Sequence, residues 1–292
     1  EKDCLPQVSV VLITHNRKDL LLKSVKSIFQ SDYPKERLEV IVVDDASDDA
    51  TYDALKKRFG QRVNIIRNAS ERFLAQSRNI GFNLSTGTHI LNMDDDCLVE
   101  KETVRNLVRV SNSDERIGVV GPSVYRLDGK LAYCGAKIFP FFRPIKSEGH
   151  AEVREAEFIP GTIGLFKREA AIAAGLWDSH NFTFQAEDAD VCLRLKKAGY
   201  LAVCAPWIRA HHLKKPRILS ISSSRRAYEA GRSRILLYKR HLQRLSFIFY
   251  ALSVNTIIVL FYLSYMVFGE RKPREFLTAY LRGVAHGFAT PV

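Results

Sequence analysis

The sequence lacks the cysteine spacing that disulfide frameworks and zinc sites need. Its five cysteines are scattered and odd in number, and no two of them form a Cys-x-x-Cys pair. This pattern argues against a disulfide-stapled or zinc-binding protein and fits a reducing compartment. At 292 residues the chain has room for one large domain, or for one domain with an appendage.

Acidic residues are nearly absent from residues 214–244. Ten basic residues stand there against a single acid, Glu229, in a chain whose formal net charge is +12. Such a run binds polyanions, either nucleic acid or an anionic membrane surface. The residues that follow it favour the membrane.

Charge of either sign is missing from residues 245–268, a stretch of 24 residues. As a helix it would be about 36 Å long, enough to cross a bilayer. Arg271 and Lys272 follow at once, so a helical hairpin or a helix lying in the membrane surface fits as well as a span. We expect residues 213–292 to associate with the cell membrane and the rest of the chain to be cytoplasmic, because basic flanks favour that side. A soluble core or dimer helix is the alternative.

Upstream, apolar runs rich in β-branched residues alternate with segments of helical periodicity. Runs at residues 8–13, 38–43 and 63–66 read as buried strands, and each precedes a helical pattern, at residues 19–30, 49–58 and 75–84. Residues 88–91 start a further strand, and residues 117–120 another. Strand–helix alternation with short connections is typical of an α/β protein with a parallel sheet.

Carboxylates follow two of these strands. Asp44 and Asp45 come after the second run, and Asp94, Asp95 and Asp96 follow the strand that starts near residue 88. Because ligands of open α/β sheets bind at the carboxyl ends of strands, both clusters are expected in one crevice. Three adjacent carboxylates repel one another, so the triplet suggests a divalent cation, and oxygen ligands suit Mg²⁺ or Mn²⁺. A solvated acidic turn is the alternative.

As a set, these motifs resemble family 2 glycosyltransferases of the GT-A fold. The resemblance runs from about residue 8 to residue 212. Its stretches are Val-Ser-Val-Val-Leu-Ile-Thr-His-Asn-Arg at 8–17, Val-Ile-Val-Val-Asp-Asp-Ala-Ser-Asp-Asp at 40–49, Ser-Arg-Asn-Ile-Gly at 77–81, Met-Asp-Asp-Asp at 93–96, Phe-Ile-Pro-Gly-Thr at 158–162, Gly-Leu-Trp-Asp at 175–178 and Gln-Ala-Glu-Asp-Ala-Asp-Val-Cys-Leu-Arg-Leu at 185–195. It implies a Rossmann-like mixed, mostly parallel sheet flanked by helices over residues 1–212, followed by a basic and apolar helical region over residues 213–292.

The resemblance also implies roles in binding a nucleotide-diphosphate sugar donor. Asp44 and Asp45 match the acids that hydrogen-bond the nucleotide base. The loop beneath that base corresponds to residues 14–17, with Thr14, Asn16 and Arg17 as candidate contacts. Arg78 matches a residue near the diphosphate, although a solvated helix arginine is the alternative.

The acidic triplet matches the Asp-x-Asp motif, in which an acid ligates the divalent ion. All three positions are acidic here, so the ligand stays open; Asp96 is the first choice and Asp94 the second, with Asp95 beside the donor. His211 and His212 lie where relatives place a histidine near the metal, or they are surface histidines beside the basic run.

Glu187 and Asp188 match the acidic pair that bears the catalytic base, with Asp188 as the expected base. Acids also favour the first turn of a helix, and both interpretations can hold together. Between the two acidic sites, residues 125–148 predict a loop-rich insertion with exposed aromatics, either an acceptor platform or a hairpin covering the sheet edge.

Sugar transfer from a nucleotide diphosphate explains these residue types on chemical grounds. A cation offsets charge on the leaving diphosphate, and a separate carboxylate takes the proton of the attacking hydroxyl from the opposite face, which inverts the anomeric centre. We therefore expect a Mn²⁺- or Mg²⁺-dependent inverting glycosyltransferase whose acceptor is a glycan, a lipid-linked glycan or a polysaccharide precursor near the membrane. Transfer to a polyprenyl phosphate is an alternative, and a homo-oligomer is possible.

Two rivals come from other classes. A receiver-type phosphate-binding domain accounts for Asp44 and Asp45 but not for the later acids. A nucleic-acid binder accounts for the charge but gives the uncharged stretch no role, so nucleic acid is not expected as a partner.

Overall fold

The computed structural model describes residues 5–138, 143–146, 152–183, 185–213, 224–268 and 273–292. Strands and helices alternate through the first two hundred or so residues, and helices follow. The strands are β1 (Val8–Thr14), β2 (Leu38–Asp44), β3 (Asn64–Arg67), β4 (His89–Asp94), β5 (Cys97–Val99), β6 (Ile117–Arg126), β7 (Leu131–Tyr133), β8 (Ala136–Lys137), β9 (Arg143–Pro144), β10 (Arg154–Glu155), β11 (Ile163–Lys167) and β12 (Leu201–His212). The helices are α1 (Lys18–Phe29), α2 (Thr51–Phe59), α3 (Phe73–Leu84), α4 (Thr103–Asn112), α5 (Arg168–Ala173), α6 (Glu187–Lys197), α7 (Ser224–His241), α8 (Arg244–Phe268) and α9 (Pro273–Ala289).

Ten of the strands form one mixed sheet in the order β10-β12-β6-β11-β4-β1-β2-β3, with β5 on β12 and β7 on β6. Strands β3, β2, β1 and β4 are parallel, and every residue of β1 is buried, as a continuous apolar run predicts. Strand β11 then pairs antiparallel with both β4 and β6. The mixed α/β sheet is confirmed: the four strands β3, β2, β1 and β4 are parallel, and β6 and β12 form a second parallel pair.

The register of these strands brings the predicted polar clusters together. Thr14 at the end of β1 pairs with Asp44 at the end of β2, and Ile13 pairs with Asp94 at the end of β4. The carboxyl ends of three neighbouring strands therefore meet at one edge of the sheet. This edge is the crevice that the sequence pattern predicts.

Helices pack closely against both faces of the sheet. In α1 the buried residues Leu21, Val25 and Ile28 recur at helical spacing and face the core. Helix α3 approaches β1 so closely that a Cβ atom on Gly81 would collide with the Val11 side chain. The glycine thus permits the approach of α3, which carries Arg78, to the sheet.

The predicted insertion at residues 125–148 is built partly from strands. Strand β6 runs to Arg126, β7 pairs back onto it, and β8 and β9 form a small separate sheet. The aromatic residues Phe139, Phe141 and Phe142 lie outside the described residues, so the aromatic platform stays a prediction.

Three helices follow the sheet. Helix α7 crosses α9 at Gly231 and Gly283, where an added Cβ atom would meet the backbone of the other helix. Helix α8 buries Tyr250 and Val254 on one side, and the Tyr250 hydroxyl lies 2.6 Å from the Tyr238 hydroxyl of α7. Within the part of the chain that the structure describes, no helix has the length and apolar character needed to cross a membrane.

A buried ion cluster joins these helices to the sheet domain. Asp190 of α6 is fully buried and accepts hydrogen bonds from Arg194 at 2.8 Å, His241 at 2.8 Å and Arg240 at 3.1 Å. Arg240 also pairs with Asp178 at 2.7 Å. Burial acts to raise the pKa of Asp190, but its partners outweigh burial and hold that pKa below the ordinary value.

Replacing Asp190 with Asn should destabilise the fold by about 3 kcal/mol, because it leaves buried cations without their counter-charge. The wild-type protein should lose this contribution as the pH falls through the lowered pKa of Asp190, since a depressed carboxylate pKa stabilises the folded state only above it. Urea unfolding at several pH values measures both effects. The exposed Asp53→Asn change is the control and should cost less than about 1 kcal/mol. Equal effects from the two variants would contradict the role of the cluster.

Candidate active site

The centre of the site is the guanidinium group of Arg78, which is almost fully buried. Its Nη1 atom donates to Glu187 Oε1 at 2.7 Å, and its Nη2 atom donates to Asp94 Oδ1 at 3.3 Å and to the Gly161 carbonyl at 3.0 Å. One side chain of α3 thereby connects the end of β4, the loop before β11 and the start of α6. The sequence placed Arg78 at the site but did not predict these partners.

Gly161 makes this arrangement possible. A Cβ atom there would lie 2.6 Å from Arg78 Nη2, so any larger residue would displace the guanidinium. The Gly161 amide donates to Asp188 Oδ2 at 2.8 Å while its carbonyl accepts from Arg78. The same residue therefore positions both the arginine and the second acid of α6.

The contacts of Arg78 with Asp94 and Glu187 are called here the Arg78 bridge. Two cavities lie beside it, and Asp94 lines one of them while Glu187 lines the other. The smaller, of about 490 Å³, is called here the strand-end cleft; it is lined by Ile13, Thr14, His15, Arg17, Asp45, Glu71, Phe73, Leu74, Asp94, Asp95, Gln185, Arg225 and Arg226. The larger, of about 790 Å³, is called the outer cavity; it is lined by Arg126, Ala132, Tyr133, Ala136, Pro144, Phe158, Pro160, Thr162, Gln185, Ala186, Glu187, Asp188, His212, Ala230, Ser233 and Arg234. Gln185 borders both.

The three aspartates of the triplet have different surroundings. Asp95 accepts from Thr14 Oγ1 at 2.8 Å and from Arg17 at 3.0 Å, and Asp96 accepts from Arg17 at 3.2 Å. Their side chains are only 4% and 3% exposed, whereas that of Asp94 is 31% exposed and faces the strand-end cleft. Of the three, Asp94 is the most accessible to a ligand, although Asp96 was the first choice from the sequence.

The charges around Asp94, Asp95 and Asp96 are compatible with a bound cation. Burial, reinforced by the other two carboxylates, raises the pKa of Asp94 to about 6 despite the nearby Arg78, and burial raises the pKa of Asp95 despite Arg17. The arginines therefore do not fully offset the cost of burying these carboxylates as anions, and a bound cation would lower that cost. Among the described residues, no three His, Cys, Asp or Glu side chains converge on a common metal position. A Mg²⁺-type site needs only one or two carboxylates when phosphates complete it, so the donor set is compatible with such an ion.

The two histidines at the end of β12 point in different directions, as neighbours on a strand do. His212 Nε2 lies 3.1 Å from Asp96 Oδ1, beside the triplet. His211 Nε2 lies 2.8 Å from Glu100, and its ring lies near Tyr125. Only His212 also lines the outer cavity, so the structure brings His212 to the site and places His211 elsewhere.

Asp44 and Asp45, at the end of β2, also have different surroundings. Asp45 lines the strand-end cleft and accepts hydrogen bonds from the amides of Arg72 and Phe73 and from the Asn68 side chain. Asp44 is fully buried, accepts from the Ser47 amide at 2.9 Å and does not line the cleft. Asp44 thus stabilises the turn after β2, and only Asp45 is in a position to contact a ligand.

The predicted loop at residues 14–17 contributes two side chains to the cleft. Thr14 and Arg17 line it and bind the triplet, as described above. Asn16 is exposed and has a left-handed backbone (φ 54°); its side-chain oxygen accepts from the Asp48 amide at 2.8 Å. It connects two loops rather than lining the cleft.

Glu187 and Asp188 begin α6 at the wall of the outer cavity. Glu187 is buried and directed to Arg78, while Asp188 is partly exposed and accepts from the amides of Gly161 and Ala189. Burial raises the pKa of both; for Glu187, the charge of Asp188 adds to this effect and brings the pKa to about 7. Ala186 before them has a left-handed backbone (φ 64°), and such non-glycine residues are often found at functional sites.

Helix α7 contributes side chains to the site that the sequence motifs did not indicate. Arg225 and Arg226, at its start, line the strand-end cleft, and Arg225 stacks 4.0 Å above the Phe73 ring and pairs with Glu71. Both belong to the basic run that the sequence assigned to a membrane. No local sequence pattern distinguishes an arginine that lines a cleft from one that faces lipid, because the difference depends on tertiary packing.

Comparison with known proteins identifies the family. The family described as Glycosyl transferase family 2 matches residues 9–174, more than half of the chain. The chain belongs to this family. This finding decides between the classes that the sequence left open and disfavours the receiver-type domain and the nucleic-acid binder.

One curated relative and two solved structures show the range of similarity. The Probable glycosyltransferase YdaM of Bacillus subtilis (strain 168) is 30% identical over 213 residues, which cover 67% of this chain but only 48% of that protein. The crystal structure of GalNAc-T7 with UDP, GalNAc and Mn²⁺ matches with TM-score 0.67 and 19% identity, covering 82% of this chain and 48% of the other. The mannosyltransferase PcManGT of Pyrobaculum calidifontis, with GDP-Man and Mn²⁺, matches with TM-score 0.62 and 18% identity, covering 99% and 77%. At these identities the two structures establish the GT-A fold.

Replacing Arg78 with Gln should move the acidic limb of the pH–rate profile of glycosyl transfer to higher pH and lower the rate at neutral pH by about tenfold or more. Arg78 lowers the pKa of both Glu187 and Asp188, so its loss makes deprotonation of a base harder. The measurement is the transfer rate as a function of pH. Arg78→Lys keeps the charge and should keep the limb near its wild-type position. A lower rate with an unmoved limb in Arg78→Gln would contradict the electrostatic role of the bridge.

Proposed function

We propose that this family 2 enzyme transfers a sugar from a nucleotide-diphosphate donor in the strand-end cleft to a hydroxyl group of an acceptor in the outer cavity, with inversion. The observation that carries the proposal is the Arg78 bridge, which connects a carboxylate in the wall of each cavity. A donor and an acceptor bound on either side of it would meet at Asp94, Glu187 and Asp188.

Asp45, Arg17 and the arginines of α7 make the strand-end cleft suitable for a nucleotide diphosphate. Asp45 offers acceptor oxygens at the carboxyl end of β2, and Arg225 and Arg226 offer positive charge for phosphate oxygens. Phe73 adds an aromatic face to the same wall. The solved neighbours that contain UDP or GDP-Man support a nucleotide donor for this chain too.

Asp94 would hold a Mn²⁺ or Mg²⁺ ion together with phosphate oxygens of the donor, and Asp96 and His212 lie beside it. A bound ion would supply positive charge where the leaving diphosphate becomes more negative. The Mn²⁺ in both solved neighbours supports this assignment. His211 is left out of the proposed ligand set because it is directed to Glu100.

Asp188 acts as the general base. Two backbone amides fix its carboxylate, and burial raises its pKa, which makes it a stronger base than an ordinary aspartate. Glu187 is engaged with Arg78 and positions the bridge. Asp188 takes the proton of the acceptor hydroxyl, whose oxygen forms the new bond to the anomeric carbon as the bond to the nucleotide diphosphate breaks.

Two isosteric variants separate these roles. Asp94→Asn should weaken Mn²⁺-dependent binding of a nucleoside diphosphate by about tenfold or more, because it removes an anionic ligand of the Mn²⁺ ion that would neutralise the phosphates. Asp188→Asn should leave that affinity within about threefold of wild type while lowering the transfer rate by about a hundredfold or more. Isothermal titration with UDP and GDP, with and without Mn²⁺, and a transfer assay measure the two effects. Equal, mild losses in both assays for both variants would contradict the assignments.

We further propose that residues 213–292 attach the enzyme to the cytoplasmic face of the cell membrane by lying in its surface. Helix α8 buries one side against α7 and exposes an apolar stripe on another, made of Leu245, Ile248, Phe249, Leu252, Ile257 and Leu260. Fourteen Lys and Arg stand against three Glu in residues 213–292, which suits anionic lipid. The acceptor would then be a glycan or lipid-linked glycan at the membrane.

Replacing two residues of the stripe, Phe249→Glu and Leu252→Glu, should lower binding to vesicles that contain anionic phospholipid by more than about tenfold, because apolar burial is lost and negative charge is added. Vesicle co-sedimentation of the full chain measures this. The matched control replaces exposed apolar residues elsewhere, Leu127→Glu and Ile172→Glu, and should change binding little. If both pairs reduce binding equally, the stripe is not the attachment surface.

A further inference from the structure

The outer cavity contains two arginines with no carboxylate partner among the described residues. Arg126, at the end of β6, and Arg234, on α7, both line it, and neither takes part in an ion pair within the described part of the chain. By contrast, Arg17, Arg78 and Arg225 each pair with an acid. The positive charge of Arg126 and Arg234 is therefore available to a ligand, apart from the contact of Arg234 with the Tyr280 hydroxyl.

Three residues that line the same cavity carry a buried polar atom without a hydrogen-bond partner within the described ranges: Arg126 at Nε, Tyr133 at its hydroxyl and Ser233 at its hydroxyl. Arg126 Nε and the hydroxyl of Ser233, whose side chain is almost fully buried, are the two that concern an anion here. A buried polar group without a partner is costly, so such groups need an explanation. A ligand that accepts hydrogen bonds from both would supply one.

The hydrogen-bond donors Arg126, Ser233 and Arg234 line the same cavity as Asp188, the proposed base. Arg126 pairs in register with His212 at the ends of two neighbouring strands, Ser233 and Arg234 come from α7, and Asp188 begins α6. An anion bound by the donors would occupy the same space as the acceptor whose hydroxyl faces Asp188. A neutral acceptor would leave two guanidinium groups desolvated and uncompensated.

We propose that the outer cavity binds a phosphate group carried by the acceptor, with Arg126, Ser233 and Arg234 as its hydrogen-bond donors. The proposal rests on the assignment of this cavity to the acceptor. A guanidinium group can donate two parallel hydrogen bonds to the oxygens of one phosphate. Two guanidinium groups and a hydroxyl offer more donors than the two oxygens of a carboxylate can accept in this way, so they match a phosphate better. The phosphate orients the acceptor and undergoes no bond change; the bond that forms is at the hydroxyl next to Asp188.

The test is isothermal titration of the full chain with glycerol 1-phosphate at constant ionic strength. Mn²⁺ and a saturating nucleoside diphosphate are present throughout, so that phosphate cannot enter the strand-end cleft. Glycerol is the uncharged counterpart of the probe. We expect saturable binding of glycerol 1-phosphate and none of glycerol.

Variants assign the binding to the three donors. Arg126→Gln and Arg234→Gln should each weaken binding of glycerol 1-phosphate by about tenfold, as loss of a charged hydrogen bond does, and Ser233→Ala by about threefold. Arg109→Gln, at an exposed position of α4, removes the same charge away from the cavity and should change binding less than twofold. No saturable binding by the wild type, or wild-type affinity in both arginine variants, would overturn the proposal.

The nucleotide affinity of the same variants distinguishes a failure of the acceptor-phosphate proposal from a failure of the proposed glycosyl transfer. If Arg126→Gln and Arg234→Gln bind nucleoside diphosphate with Mn²⁺ as the wild type does, they are folded and their donor site is intact. Loss of phosphate binding in such variants supports the acceptor-phosphate site. An absence of phosphate binding together with normal nucleotide binding would overturn this inference and leave the proposed glycosyl transfer in place.

Discussion

One buried guanidinium group determines how the parts of this site are arranged. Arg78 lies between a carboxylate at the end of β4 and another at the start of α6, and the buried one, Glu187, could not lie so close to the other acids of the site without a cation. Moving Arg78 or Glu187 would leave a buried charge unpaired, whereas Asp94 is partly exposed and makes the longer contact with Arg78, at 3.3 Å. The distance between the strand-end cleft and the outer cavity is therefore fixed by electrostatics, and two substrates bound there would be held in a constant relative position, which favours reaction between them.

Helix α7 has three roles in this arrangement. Its start carries Arg225 and Arg226 to the strand-end cleft, its middle carries Ser233 and Arg234 to the outer cavity, and its end holds Asp190 of α6 through Arg240 and His241. The helix also supports α8, whose apolar stripe we assign to the membrane surface. The region that the sequence suggests is an appendage thus contributes part of the site. The proposed attachment would also place the outer cavity close to the lipid surface, where a phosphate-bearing acceptor would be found.

The sequence predicted the framework of the fold and part of the site. The apolar runs of β1, β2 and β4 and the acids that follow them were sufficient to predict adjacent strand ends, because strand direction determines which ends meet. The pairing of Arg78 with Glu187, the separation of Asp45 from Asp44 and the different directions of His211 and His212 all depend on tertiary contacts or on the exact pleat of a strand, which local patterns do not specify. The basic run shows the same limit, since its arginines are divided between two cavities and the surface.

The most direct test of this account is a crystal structure of the full chain with Mn²⁺, a nucleoside diphosphate and glycerol 1-phosphate. The account predicts the nucleotide in the strand-end cleft, with its phosphates near Asp94 and Arg225, and the separate phosphate in the outer cavity near Arg126 and Arg234, with Arg78 still bound to Asp94 and Glu187 between them. A nucleotide whose base and phosphates occupy the outer cavity, or an Arg78 side chain released from both acids, would contradict it.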